Sequence, residues 1–275
     1  MNISAKEVQE LRKISGAGMM ECKSALSEAN GDVDVAFKLL REKGIAKAEK
    51  KSAREANEGL IGIMVKNQLA TMVEINSETD FVSRNAEFHK LVYEILAISL
   101  ENNEDYEKTR TLASEIISQG VGKIGENIVL RRIDIMRGKV FSYIHNNVAD
   151  NLGKIGVLLT LECENDDLND IGKKLSMHIA ASSPKSISVD DLDEDIIESE
   201  KNIITEQLKG SGKSEEIVKK MLTGKMKKFF DEVTLMGQKF VMDPSISITE
   251  YLEQSSHSLG SKVKVKKFLR YEIGN

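Results

Sequence analysis

Residues 59–101 and 138–182 repeat one order of elements, and this repeat limits the fold more than any other feature of the chain. The first copy runs Gly59-Leu60-Ile61-Gly62-Ile63, then Met72 to Ile75, then a helical pattern carrying Phe88, Leu91, Val92, Ile95 and Leu96. The second runs Gly138 to Ile144, then Gly156 to Leu161, then Leu168, Ile171, Leu175, Ile179 and Ala180. Short apolar runs bounded by turns mark strands, and apolar residues three and four apart mark helices. Each copy therefore reads strand, turn, strand, loop, helix. The pair predicts a two-lobed α+β core, with antiparallel sheets backed by helices. A charged helix from Tyr106 to Ser118 and a strand from Ile128 to Met136 are expected between the copies.

The flanks differ in kind. Ser4 and Glu7 form a capping box, in which each side chain satisfies a free backbone N–H of the other. Val8, Leu11 and Ile14 follow at helical spacing, and Gly16-Ala17-Gly18 ends that helix. Met19, Cys22, Ala25, Leu26 and Ala29 form the stripe of a second helix, and Asp32 caps a third that runs through Leu39-Leu40 to Gly44. Farther on, Leu192, Ile196, Ile197, Ile203, Ile204 and Leu208 make one stripe, and Ile217, Val218, Met221, Leu222, Met226 and Phe229 another. Gly210-Ser211-Gly212 separates them, so an antiparallel helical hairpin is expected. Strands return at Val233–Leu235, Lys239–Met242 and Val263–Ile273. The expected domains are a three-helix module (1–45), a helical or flexible linker (46–57), a core N-subdomain (58–137), a core C-subdomain (138–186 and 231–275) and a hairpin inserted in it (187–230).

Two prolines among 275 residues suit long helices. The net charge of −5 argues against a direct nucleic-acid partner for the whole chain. Two cysteines, Cys22 and Cys163, are too few for a disulfide scaffold and fit a reducing cytosol. No apolar run reaches the roughly 20 residues of a membrane span. The expectation is a soluble cytoplasmic protein with no membrane contact.

Two glycine motifs match nucleotide loops by letter only. Gly120-Val121-Gly122-Lys123-Ile124-Gly125 spells GxGxxG, but a helix precedes it and a strand follows, the reverse of what a dinucleotide fingerprint needs. Gly212-Lys213-Ser214 resembles the end of a phosphate loop, yet it joins two helices with no strand before it. His89, His145, His178 and His257 show no metal spacing. His178, in an apolar helix, reads as a satisfied core histidine. His145, after Tyr143-Ile144, is either a contact residue or a plain turn residue. No nucleophile signature is present.

The segment Thr71 to Phe88 stands apart. A strand ends in the polar turn Asn76-Ser77-Glu78-Thr79-Asp80, and Phe81-Val82 follow at once. Loop tips normally carry small polar residues. Phe81 either turns back into the core or is displayed to a partner. The second copy has Glu162-Cys163-Glu164-Asn165-Asp166 at the matching place and no aromatic after it, so the shared architecture does not require one.

The stretches Leu11-Arg12, Ser15 to Leu26, Gly31-Asp32 and Thr79-Asp80-Phe81-Val82 together resemble the elongation factor Ts family. The likeness continues through Lys123 to Ile128, Met177 to Ser182, Met226 to Phe229 and Gly237 to Met242, and so spans almost the whole chain. The resemblance implies a ubiquitin-associated-like N-terminal module, two related core subdomains and an antiparallel coiled coil that can form a homodimer. It implies guanine nucleotide exchange on the GTPase elongation factor Tu, without bond chemistry, cofactor or resident metal. Thr79, Asp80, Phe81 and Val82 would then disturb the partner's magnesium site, with Phe81 wedged between helices and at least partly exposed in the free protein. Lys23, Lys51, Lys123, Ile124, Gly125 and His145 match secondary contacts. The chain ends at Asn275, where many relatives continue into a helix, and the loop Asn146 to Lys154 is longer than in some of them. The competing expectation is an interaction adaptor built on the N-terminal module.

Overall fold

A computed structural model describes residues 3–209 and 214–274. Helix α1 (Ala5–Ser15) starts at Ser4, whose hydroxyl accepts the Glu7 N–H (3.2 Å) while Glu7 accepts the Ser4 N–H (2.7 Å). It stops at Gly16, which takes the left-handed conformation (φ 64°) that glycine adopts without a Cβ penalty. Helices α2 (Met19–Glu28) and α3 (Val33–Lys51) follow, α3 capped by Asp32. Val8, Leu11, Cys22, Ala25, Leu26, Ala29 and Ala36 form their common core. Met19 is a correction: expected in the apolar stripe of α2, it is the helix's first residue and is exposed, clear of the core that starts at Cys22.

The third helix does not end at Gly44. No proline interrupts it, and it continues to Lys51. Gly44 lies where α3 meets α5 (Tyr106–Ile124): a Cβ on Gly122 of α5 would stand 3.7 Å from the Gly44 Cα. The expected helix Tyr106–Ser118 is therefore longer too. Gly120 and Gly122 lie inside it, and Gly125 (φ 86°) caps it. Read in sequence, these glycines look like breakers. In the fold only Gly120 is a place where a neighbour comes too close for a side chain; Gly122 meets an ordinary contact, and Gly125 is needed for its positive φ. A Cβ on Gly120 would lie 2.2 Å from Leu91 Cδ1.

Strands β1 (Glu58–Lys66) and β2 (Leu69–Ser77) pair antiparallel from Glu58↔Ser77 to Lys66↔Leu69. Helix α4 (Ala86–Glu101) packs on both. Strand β3 (Ile128–Arg137) follows α5, then β4 (Val140–His145) and the short β5 (Leu152–Gly153). The first sheet has the order β3-β2-β1-β5. Leu60, Val73, Ile75, Phe88, Val92, Ile95 and Leu96 form its core with α4. Helices α1 to α5 and this sheet belong to one compact unit, made of Met1–Met136, Ile144–Gly156 and Tyr271–Asn275.

The second unit comprises Arg137–Tyr143 and Val157–Arg270. Its elements after β4 are β6 (Ile155–Glu162), α6 (Asn169–Ser182), α7 (Glu194–Lys209), α8 (Glu215–Val233), β7 (Lys239–Phe240), β8 (Asp243–Ser247), α9 (Ile248–Leu259) and β9 (Lys264–Glu272). The strand order is β4-β6-β9, with β7 and β8 as a separate pair. Helices α7 and α8 pack together through Ile204, Leu208 and Met226. Ile203 and Ile217, expected within their stripes, are about half exposed. The turn at 210–213, including most of the Gly212-Lys213-Ser214 motif, lies outside the described residues.

Two further expectations are corrected here. Val233–Leu235 is not a strand: α8 runs to Val233, and the Thr234 N–H and hydroxyl both donate to the Phe230 carbonyl (3.0 and 2.8 Å), completing the helix end. Lys239–Met242 is a strand only over Lys239–Phe240, because the chain turns into β8. Helix α9 has no counterpart among the expected elements, although Ser247 and Glu250 make a capping box at its start. His178 is buried as expected. The Val241 N–H donates to Nδ1 (3.2 Å), so Nε2 carries the proton and donates to Gln238 Oε1 (3.0 Å).

Candidate functional site

The β1–β2 ladder stops at Ser77. Past it, two carboxylates hold the chain. Glu126 Oε2 accepts the backbone N–H of Thr79 (3.0 Å), and its Oε1 accepts the Thr79 hydroxyl (2.6 Å). In return, Glu78 Oε1 accepts the backbone N–H of Asn127 (2.5 Å). The turn after β2 and the loop before β3, adjacent strands of the sheet, thus cap each other. Hydrogen bonds to a charged acceptor are the stronger kind.

The end of α3 braces the loop from the other side. Lys51 Nζ donates to the Gly125 carbonyl. Arg54 lies 3.4 Å from Glu78 Oε1, and its own carbonyl accepts from Asn127 Nδ2 (2.7 Å). Downstream, a single 3₁₀ turn over Val82–Arg84 closes through Arg84 N–H to the Phe81 carbonyl (3.2 Å). The Ser83 hydroxyl donates to the Asp80 carbonyl (2.6 Å), and His89 Nε2 donates to the Ser83 carbonyl (2.8 Å). Asn85 then caps α4.

Within this frame Val82 is 6% exposed and joins the core beneath α4, whereas Phe81 is 79% exposed. Asp80 is exposed beside it. The phenyl ring therefore stands in solvent on a turn whose two sides are fixed, by Thr79 and by Val82. Burying such a ring is worth roughly 1.5–3 kcal/mol, so its display withholds stability that an inward-facing ring would add.

The other anticipated residues divide into two groups. Lys51 and Gly125 belong to the same network as the turn. Ile124 is half buried at the edge of the α4–α5 core. Lys123 is exposed on the last turn of α5, with its ammonium end over Gly16. Lys23 sits on the exposed face of α2, and His145 ends β4, exposed, its carbonyl accepting the Lys154 N–H (3.1 Å). Glu78, Ser83, His89, Glu126 and Asn127 were not singled out by the sequence. Their signal is weak, because Glu126 and Thr79 lie 47 positions apart.

Among the described residues no group of three or more His, Cys, Asp or Glu side chains is arranged to hold a metal ion. No helix among them is long and apolar enough to cross a membrane. Gly120 and Gly122 lie inside helix α5, whereas a dinucleotide fingerprint needs its glycines in a loop that opens a helix.

The chain is similar to known proteins along its full length. A family model described as Elongation factor TS matches residues 78–275. Elongation factor Ts of Bartonella bacilliformis is 43% identical over 287 aligned positions, covering 100% of this chain and 94% of the relative. Elongation factor Ts of Paracoccus denitrificans is 42% identical over 281 positions, with 100% and 93% covered. That of Agrobacterium fabrum is 42% identical over 285, with 99% and 92% covered. Identity at this level over the whole chain, together with the matched family model, places the protein in the elongation factor Ts family.

Proposed function

We propose that this guanine nucleotide exchange factor of translation elongation acts on elongation factor Tu through the turn Thr79-Asp80-Phe81-Val82. The observation that carries the reading is Phe81, 79% exposed between two fixed neighbours. An exchange factor binds the nucleotide-free partner more tightly than the GDP-bound one, and reciprocity makes it weaken GDP binding by the same factor. A wedge suits that task, because its contact energy is gained only in the distorted state of the partner. Magnesium bridging phosphate and protein demands near-octahedral geometry, so a small displacement loosens it. Asp80 and Phe81 are the groups that enter that region.

Burial of Phe81 supplies roughly 1.5–3 kcal/mol, one to two powers of ten, so further contacts contribute. Lys23, Lys123, Ile124 and His145 are read as those contacts. Lys51 and Gly125 are read as supports, since the Lys51 ammonium is already on the Gly125 carbonyl. The N-terminal module (1–45) is read as ubiquitin-associated-like. The core subdomains are read as 58–137 and as 138–186 with 231–275. The hairpin 187–230 is read as an antiparallel coiled coil that forms a homodimer. The protein is taken to work in the cytoplasm without cofactor. An adaptor role for the module is the second reading, favoured by the exposure of Ile14, Met19 and Met20 on it.

Stopped-flow release of fluorescent GDP from elongation factor Tu tests the main reading. Phe81→Ala slows catalysed release with the fold retained; an unchanged rate removes Phe81 from the mechanism. Deleting 187–230 halves the sedimentation mass if the hairpin dimerises.

A further inference from the structure

We propose that Glu126 is a positioning residue for nucleotide exchange: its carboxylate holds Thr79 so that Asp80 and Phe81 meet the partner in one fixed arrangement. The proposal rests on the turn 79–82 being the exchange element.

The geometry is two-sided. Both Glu126 oxygens are used on Thr79, one on the backbone N–H (3.0 Å) and one on the hydroxyl (2.6 Å). This fixes the position of Thr79 and also its rotation, since two bonds in different directions leave no pivot. Glu78 closes the reciprocal bond to the Asn127 N–H (2.5 Å), so turn and loop move as one body. Lys51 and Arg54 tie that body to the end of α3. On the far side Val82 is seated in the core. Only Asp80 and Phe81 lie between these anchors.

A wedge must push. If Thr79 were free, contact with the partner would be relieved by movement of the turn, and the ordering entropy would be lost at the moment of binding. Held from both sides, the same contact is relieved by movement of the partner. Glu126 thus acts through Thr79 and need not touch the partner itself.

Glutamine separates positioning from charge. In Glu126→Gln the amide oxygen accepts the Thr79 N–H, and the amide N–H donates to the Thr79 hydroxyl oxygen. Alanine removes both bonds. Release of fluorescent GDP from elongation factor Tu, measured across partner concentrations, reads the difference. Loss of a charge-assisted pair of bonds predicts that Glu126→Ala lowers kcat about tenfold with KM changed less than about threefold. Glu126→Gln stays within about threefold of the parent in both. In the Glu126→Ala background Phe81→Ala costs far less than it does alone, because a ring on a loose turn no longer wedges. Hydrogen exchange at the amides of 79–83 accelerates in Glu126→Ala. Thr79→Val, which keeps the backbone bond and drops the hydroxyl, gives an intermediate loss and covers the case in which the alanine variant fails to fold.

Parental kcat in Glu126→Ala, alongside slow release in Phe81→Ala, overturns the role of Glu126 and leaves the turn's role standing. Equal losses in the alanine and glutamine variants overturn it as well, since the charge would then be acting directly on the partner. Full additivity with Phe81→Ala, or unchanged hydrogen exchange at 79–83, also counts against positioning. A parental rate in Phe81→Ala itself removes the turn as the exchange element, and Glu126 with it.

Discussion

Phe81 and Val82 are neighbours in sequence and opposites in environment: the ring is 79% exposed, and the valine is 6% exposed beneath α4. The 3₁₀ turn that starts between them makes this possible, because it rotates successive side chains by about a third of a circle. Substitutions at the two positions therefore report on different properties. Phe81→Ala removes a solvent-facing ring and is expected to leave the thermal midpoint within a degree or two, by the rule that exposed positions change stability by about 0.5 kcal/mol or less. Val82→Ala opens a gap in the core and costs about 1.5–3 kcal/mol in urea unfolding. A Phe81→Ala variant as unstable as Val82→Ala would show the ring to be packed.

The glycines of α5 predict opposite results for one substitution. At Gly122 an added Cβ meets only the Gly44 Cα at 3.7 Å, an ordinary contact. Alanine is the better helix former by about 1 kcal/mol, so Gly122→Ala is expected to be neutral or stabilising. At Gly120 the Cβ would lie 2.2 Å from Leu91 Cδ1, and Leu91 is buried. Gly120→Ala then destabilises by about 1–3 kcal/mol through overpacking, less whatever alanine returns in helix propensity. Thermal denaturation of the two variants checks this. Two equal shifts would refute the packing account of the motif.

Burial holds the imidazole of His178 below its ordinary range, with the hydrogen bond to Gln238 opposing that in part. The folded state therefore keeps the ring neutral, and Nδ1 is already occupied by the Val241 N–H. In the unfolded chain the ring takes a proton near pH 6.5. Below that value the unfolded state binds more protons, so stability falls as pH falls toward the lowered folded value. Above it the ring contributes no slope. The limiting slope for one proton is about 1.4 kcal/mol per pH unit. Urea unfolding between pH 5.5 and 7.5 should show stability falling below about pH 6.5 in the parent, with a slope no steeper than this, and not in His178→Gln. An identical pH profile in the two proteins would remove His178 as its source.

What could be read in the sequence depended on how far apart the interacting residues lie. The strand–strand–helix units and the helices at 5–15, 19–28 and 86–101 follow from periodicity and caps, which act within a few residues. The motif Gly120–Gly125 could be rejected from element order alone. The continuation of α5 through Gly120 could not be foreseen, since what calls for a glycine there is Leu91 on another helix. Helix α9 carried local signals, the Ser247–Glu250 capping box and the buried pair Ile248 and Leu252 four positions apart. The turn at Asp80-Phe81 was conspicuous because an aromatic followed a polar tip; periodicity alone favoured an inward ring, the reverse of its 79% exposure. The Glu126–Thr79 bond, which sets that turn, joins residues 47 positions apart and left no pattern to find.

Glu74, on the central strand β2, is fully buried and ionically paired with Arg132, whose Nε and Nη2 lie 2.6 and 2.5 Å from Oε2. Among the described residues its other oxygen has no hydrogen-bond partner, and Arg131 Nε, 3.8 Å away, is bonded to Asn76. The guanidinium of Arg132 also lies 4.3 Å from the centre of the Tyr271 ring, whose phenol burial and its bond to Asp134 push upward in pKa. Removing one partner of such a pair leaves a buried charge without its counter-ion. Arg132→Met is therefore expected to cost about 3–5 kcal/mol. Glu74→Gln in the Arg132→Met background removes that charge and should restore most of the loss, because a buried pair adds little beyond a neutral, well-packed replacement. The double-mutant cycle in urea, with unchanged m-values, measures the coupling. If Arg132→Met alone costs less than about 1 kcal/mol, water reaches Glu74 and the pair is not a dry one.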